Sequence, residues 1–211
     1  MKKLSILLFL GLFFYSLNLN AETAKDYSDR GDAYYDKGDY NNAIINYTQA
    51  IKLDPNKATY YISRGDVYYD KNDYVNAIAD YGRAIKLEPN NAKYYNNRGA
   101  IYFAKKDYAN SIADHIQAVK LAPTRKHYND LGEVYCFRGD HISAITNYSE
   151  SIKLDPKYAF TYYLRGDAYY RKGDYAEAKA DFEEALRLDP KNNQARKNLD
   201  ELNKKNIPAV E

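Results

Sequence analysis

One motif is written five times along the chain at a nearly constant interval, and that interval narrows the fold before any single residue is weighed. It reads RGDAYYDKGDY at residues 30–40, RGDVYYDKNDY at 64–74, RGAIYFAKKDY at 98–108, LGEVYCFRGDH at 131–141 and RGDAYYRKGDY at 165–175. Its glycines, Gly31, Gly65, Gly99, Gly132 and Gly166, lie 34, 34, 33 and 34 residues apart, and Pro55, Pro89, Pro123, Pro156 and Pro190 keep the same intervals. A unit this short cannot bury its own apolar face, so a chain built from it must stack the units on one another.

Within a unit the apolar spacing is helical. Tyr40, Ala43, Ile44, Tyr47, Ala50 and Ile51 recur at steps that place them on one face of a helix. Ahead of them Tyr27, Gly31, Tyr34 and Tyr35 form a shorter stripe that stops at Gly38, a residue free to take the left-handed conformation that ends helices. Asp39 is placed to cap the next helix through its carboxylate, and in the fifth copy Asp174 and Glu177 have the spacing of a capping box. Each unit is therefore expected to be helix, tight turn, helix, closed by a proline that cannot extend a helix interior. Gly31 with Ala43 and Ala50 in the first copy, and Gly166 with Ala178 and Ala185 in the last, mark where the two helices approach closely.

These residues resemble the tetratricopeptide repeat, whose pattern places an aromatic, a Gly, a Tyr, an Ala, an aromatic, an Ala and a Pro at the offsets of Tyr27, Gly31, Tyr34, Ala43, Tyr47, Ala50 and Pro55. The resemblance covers repeats at 24–57, 58–91, 92–124, 125–158 and 159–192, and implies an all-α, right-handed α-solenoid within residues 22–206. Residues 193–205 keep only Ala195, Leu199 and Leu202 apolar and read as a polar capping helix, ahead of a disordered tail at 207–211. The middle repeats depart from the pattern. Ser111 and His115 stand where an Ala and an aromatic are expected, and Ser151 replaces an Ala. One residue is missing between Pro123 and Gly132, which predicts an altered angle between the third and fourth repeats.

Residues 1–21 are of another kind. Lys2 and Lys3 precede an apolar run from Leu4 to Leu17, followed by Asn18, Leu19, Asn20 and Ala21. This is the pattern of a secretory signal peptide, with an apolar segment short for a membrane span and cleavage expected after Ala21; the rival reading is an uncleaved signal anchor. Either places the repeats outside the cytoplasmic membrane, in the periplasm or beyond, and no Cys follows the run to carry a lipid. Removing the leader's two lysines from the 31 basic residues leaves 29 against 29 acidic ones. That balance offers no basic stripe for nucleic acid. The single cysteine, Cys136, excludes an internal disulfide framework.

Motifs that suggest chemistry have simpler readings. Of four RGD triplets, three sit inside a first helix with the Gly at the close-packing position, and only Arg138–Asp140 falls on a turn, so adhesion is not indicated. The sequons at Asn46 and Asn147 lie within second helices. His115, His127 and His141 have no metal-ligand spacing, and Cys136 fills the slot held by Tyr35, Tyr69, Phe103 and Tyr170 in the other copies, as a small apolar filler. No phosphate loop, carboxylate pair or nucleophile elbow is present, so neither catalysis nor a cofactor is expected.

Solenoid twist creates a concave surface on which partners bind, and the resemblance implies that the first helix of every repeat lines it. It would carry Asp32, Tyr35 and Asp36 from the first repeat, Asp66, Tyr69 and Asp70 from the second, Phe103 from the third, Phe137 from the fourth, and Tyr163, Asp167 and Tyr170 from the fifth. The expectation is an apolar centre flanked by carboxylates. It suits a protein or peptide segment with a bulky apolar anchor and flanking Lys or Arg. Some relatives clamp a C-terminal carboxylate with a Lys and an Asn on the first helix; Ser28 and Asp32 occupy those offsets here and exclude that clamp. The sequence thus points to a non-catalytic interaction adaptor or scaffold, with a self-assembling envelope protein as the alternative and membrane contact only through an uncleaved leader.

Overall fold

The computed structural model describes residues 22–204. The expected leader and tail lie outside them. The chain divides between Leu87 and Glu88 into two compact units, and within the described residues every regular element is a helix.

The first unit holds α1 (Ala24–Asp36), α2 (Tyr40–Leu53), α3 (Ala58–Asp70) and α4 (Tyr74–Leu87). Each helix packs on the next, and the first helices α1 and α3 also touch. A capping box opens α1: Asp26 N–H donates to Thr23 Oγ1 at 3.2 Å and Thr23 N–H donates back to Asp26 Oδ2 at 2.8 Å. The helix ends at Gly38, whose φ of 75° is the left-handed value the turn requires. Asp39 then caps α2, accepting from Asn42 N–H at 3.2 Å. Asn72 takes the left-handed place in the second repeat, with φ of 59°.

Each glycine of the motif is the seat of one ring. A Cβ at Gly31 would lie 2.6 Å from Tyr47 Cε1, a distance at which the two helices would have to separate. Around the rings, Ala43, Ala50, Ala77 and Ala84 are fully buried. The motif's Arg supplies a second fastening. Arg64 donates to both oxygens of the buried Asp80 at 2.7 Å, and its third nitrogen reaches Thr48 Oγ1 of the preceding repeat at 2.9 Å. Arg30 finds Asn46 at the matching place and turns its remaining nitrogens to Glu22.

The second unit holds α5 (Ala92–Ala104), α6 (Tyr108–Leu121), α7 (Arg125–Arg138), α8 (His141–Leu154), α9 (Ala159–Lys172), α10 (Tyr175–Leu188) and α11 (Asn193–Lys204), again packed in sequence, with α5 touching α7 and α7 touching α9. Arg98 with Asp114 and Arg165 with Asp181 repeat the two-pronged pair at 2.7 Å. In the fourth repeat the pair is gone: Leu131 stands in the Arg position and packs with Ile112 and Val134, while Asn147 turns to the Ser143 carbonyl at 2.8 Å.

His115 occupies the ring seat over Gly99, where a Cβ would meet its Nε2 at 2.9 Å. Ser111 donates to the Gly99 carbonyl at 2.8 Å, so the hydroxyl that replaces an Ala is satisfied. The short link between the third and fourth repeats, Ala122–Thr124, gains a side-chain cap: His127 N–H donates to Thr124 Oγ1 at 3.2 Å, whereas Lys57 and Tyr158 make no such bond at the corresponding helix starts.

The capping box expected at Asp174 and Glu177 does not form. Asp174 precedes α10 without a side-chain cap, because its carboxylate is taken by Lys172 two residues back. At the end of the chain α11 buries Ala195 and Leu202 against Ala178, Phe182 and Ala185.

Candidate protein-binding face

The residues expected on the first-helix face are organised differently in the two units. In the first unit the carboxylates are held by phenols. Tyr47 donates to Asp32 at 2.6 Å, Tyr35 donates across to Asp70 of the next repeat at 2.5 Å, and Tyr81 donates to Asp66. The bond to Asp70 pushes the Tyr35 phenol above its ordinary range, with burial adding to it. The phenol therefore stays protonated and remains the donor. Asp36 is exposed, and the rings of Tyr35 on Tyr40 (5.9 Å) and Tyr69 on Tyr74 (5.8 Å) form the floor. The first-helix side chains of this unit thus combine carboxylates, three of them held by phenols, with paired rings.

In the second unit the first-helix side chains include exposed and half-buried apolar rings. Phe103 and Phe137 meet edge to face at 5.0 Å, and Phe137 remains 63% exposed. Their contact leaves no slot between them. Phe137 also lines a cavity of about 170 Å³, together with Glu133, Cys136, Tyr148 and Leu164. Asp167 lines it too, but its carboxylate is already held by Arg171 at 2.6 Å. Tyr163 stacks on Phe160 at 5.7 Å and Tyr170 rests on Tyr175 at 5.5 Å, both away from the cavity walls.

The cavity exists because the fourth repeat lacks a ring pair. Four repeats set one ring of the first helix against the ring that opens the second: Tyr35 on Tyr40, Tyr69 on Tyr74, Phe103 on Tyr108 and Tyr170 on Tyr175, at 5.5 to 5.9 Å. In the fourth repeat Cys136 and His141 take those places, with Sγ 3.8 Å from Nδ1. Burial pushes the Cys136 thiol above its ordinary value, so it is held as a neutral thiol. The repeat offsets place Glu133 and Arg171 on the first-helix face but do not reach Tyr148 and Leu164. The signal that finds them is Cys136 in a ring position, which marks missing volume.

Among the described residues no group of three or more His, Cys, Asp or Glu side chains is arranged to hold a metal, and no helix is long and apolar enough to cross a membrane.

Stacked helix pairs with a ring seated on each motif glycine define a helical-repeat protein. Profiles described as TPR repeat match residues 31–71, 65–106 and 132–173, and further tetratricopeptide-repeat profiles match 92–125 and 159–192. The chain belongs to the tetratricopeptide-repeat family. Among solved structures it is similar to a crystal structure of MamA, with a TM-score of 0.74 at 29% identity over 90% of this chain and 99% of that one. A second MamA structure gives 0.70 at 30% identity over 76% and 95%. YrrB, described as a TPR protein with an unusual peptide-binding site, gives 0.71 at 21% identity over 88% and 96%. No curated protein matches the chain.

Proposed function

We propose that this chain is an exported, non-catalytic adaptor that binds a protein or peptide partner on the first-helix face of its repeats. The observation that carries the reading is Phe137, a large ring 63% exposed yet fixed edge-on by Phe103. An ordered aromatic at the surface has little rotamer freedom left to lose on binding, which is what an interface anchor needs. A bulky apolar side chain of the partner docks there, and cationic residues of the partner are steered by Asp32, Asp36, Asp66 and Asp70. Asp167 leaves that set, since Arg171 already neutralises it. YrrB illustrates that the fold can present a peptide-binding site.

Export rests on the Lys pair, apolar run and Ala21 of the first 21 residues. Intact mass of secreted material should correspond to a chain starting at Glu22, and a species keeping the leader would favour the anchor instead. For the adaptor, peptides selected from a random displayed library on the wild type should bind Phe103→Ala/Phe137→Ala at least about tenfold more weakly. A self-assembling protein would instead show a mass that rises with concentration in light scattering, and peptides indifferent to the double substitution.

A further inference from the structure

We propose that the cavity between α7, α8 and α9 receives a lysine or arginine side chain of the partner, with Glu133 as the carboxylate that meets its charge. The proposal rests on the first-helix reading above and gives it a specificity element. The three apolar walls, Phe137, Tyr148 and Leu164, suit a methylene stem, which long basic side chains lay along apolar surface while keeping the charged head at a polar rim. The volume is adequate, since an apolar cavity of about 150 Å³ holds a benzene molecule.

Charge accounting selects the sign of the head group. Three charged side chains line the space: Glu133 and Asp167 as anions, Arg171 as the cation. Arg171 donates to Asp167 at 2.6 Å, and the nearby Lys126 donates to Asp130 at 2.5 Å. Both local cations are therefore engaged. The Glu133 carboxylate makes no hydrogen bond or ion pair among the described residues, and the cavity carries one uncompensated negative charge. Glu133 is exposed, so its carboxylate stays open to a partner; partial desolvation and the charge of Asp130 outweigh Lys126 and push its carboxyl above the ordinary range. A cation brought to it relieves that cost, while an acidic side chain would add a second unpaired anion.

The residue that opens the cavity also tells which repeat carries the preference. A ring at position 136, as at the matching position of every other repeat, would fill the space, so the preference belongs to the fourth repeat.

The test is a random dodecapeptide library displayed on phage and panned in parallel on the full chain, on Glu133→Gln and on Cys136→Phe, each first shown to be folded by circular dichroism. Peptides enriched on the wild type should carry Lys or Arg beside an apolar residue. Made synthetically, they should bind Glu133→Gln and Cys136→Phe at least about tenfold more weakly, and replacing the basic residue by norleucine should cost as much on the wild type and nothing on Glu133→Gln. Selected peptides without basic residues, or peptides that bind wild type and Glu133→Gln equally, overturn the proposal. If those same peptides still lose affinity on Phe103→Ala/Phe137→Ala, the adaptor reading stands without it; if they are indifferent to every substitution, or if none is enriched, both readings fall.

Discussion

The fourth and fifth repeats share one backbone plan and differ in what fastens it. In the fifth, Arg165 grips Asp181 with two hydrogen bonds and reaches Ser149 of the repeat before it, and Tyr170 lies on Tyr175. In the fourth, Leu131 and Asn147 replace the ion pair, and Cys136 and His141 replace the rings. Both still seat a ring on the motif glycine: Phe182 on Gly166 and Tyr148 on Gly132, at 2.8 and 2.7 Å from a hypothetical Cβ. Seating the ring is thus the part of the design that defines the fold. The ion pair and the ring pair can be exchanged, and where they are exchanged the surface acquires a cavity.

The comparison breaks most visibly at the ion pair. Arg165→Leu should cost about 3 to 5 kcal/mol in urea unfolding, because it strands Asp181 in the interior with no counter-ion; burial already pushes that carboxyl up despite the arginine. Arg165→Leu with Asp181→Asn copies the fourth repeat and should recover most of the loss. A double variant as unstable as the single one would mean that the fourth repeat's Leu131 and Asn147 are not an equivalent solution.

Extending the comparison to the third repeat gives a pH dependence. His115 is a histidine in a ring seat, and burial lowers its pKa to about 4. Its Nδ1 donates to the Asn96 side-chain oxygen at 3.1 Å, while the Asn96 amide donates to Asp130; Asp114, Lys126 and His127 are the other charged or titratable groups acting on it. The fold favours the neutral ring. The unfolded chain therefore takes up the proton first as pH falls, so the stabilisation is full above about pH 6.5 and drains away toward pH 4. Between pH 7.5 and pH 5 the wild type should lose about 2 kcal/mol more than His115→Phe. Equal losses would show that His115 does not govern acid stability.

The smallest effect lies in the turn. Lys106 has φ of 63° where Gly139 and Gly173 serve in the fourth and fifth repeats. Lys106→Gly should raise stability by up to about 1 kcal/mol, the relief of left-handed strain partly offset by the greater freedom of glycine in the unfolded chain. A loss of stability would place an unrecognised contact at that lysine.

What the sequence disclosed follows from how each feature depends on neighbours. Helix pairs, the glycine seats and the left-handed Gly38 were legible because they rest on local spacing and on one ring per glycine. The Arg64–Asp80 type of pair was equally written in the chain, as an Arg and an Asp sixteen residues apart in three repeats. The capping box at Asp174 failed because spacing cannot show that Lys172 competes for the carboxylate. The cavity escaped because Cys136, Tyr148 and Leu164 come from three helices, and their convergence beside a missing ring is a property of packing rather than of any segment.

The most direct test of the account is where a partner binds. Amide and methyl chemical shifts of the full chain, followed as a library-selected peptide is titrated in, should move first and furthest at Phe103, Glu133, Phe137 and Leu164. Shifts centred instead on Ile142 and Leu154, the exposed apolar residues of the second helix in the same repeat, would contradict it.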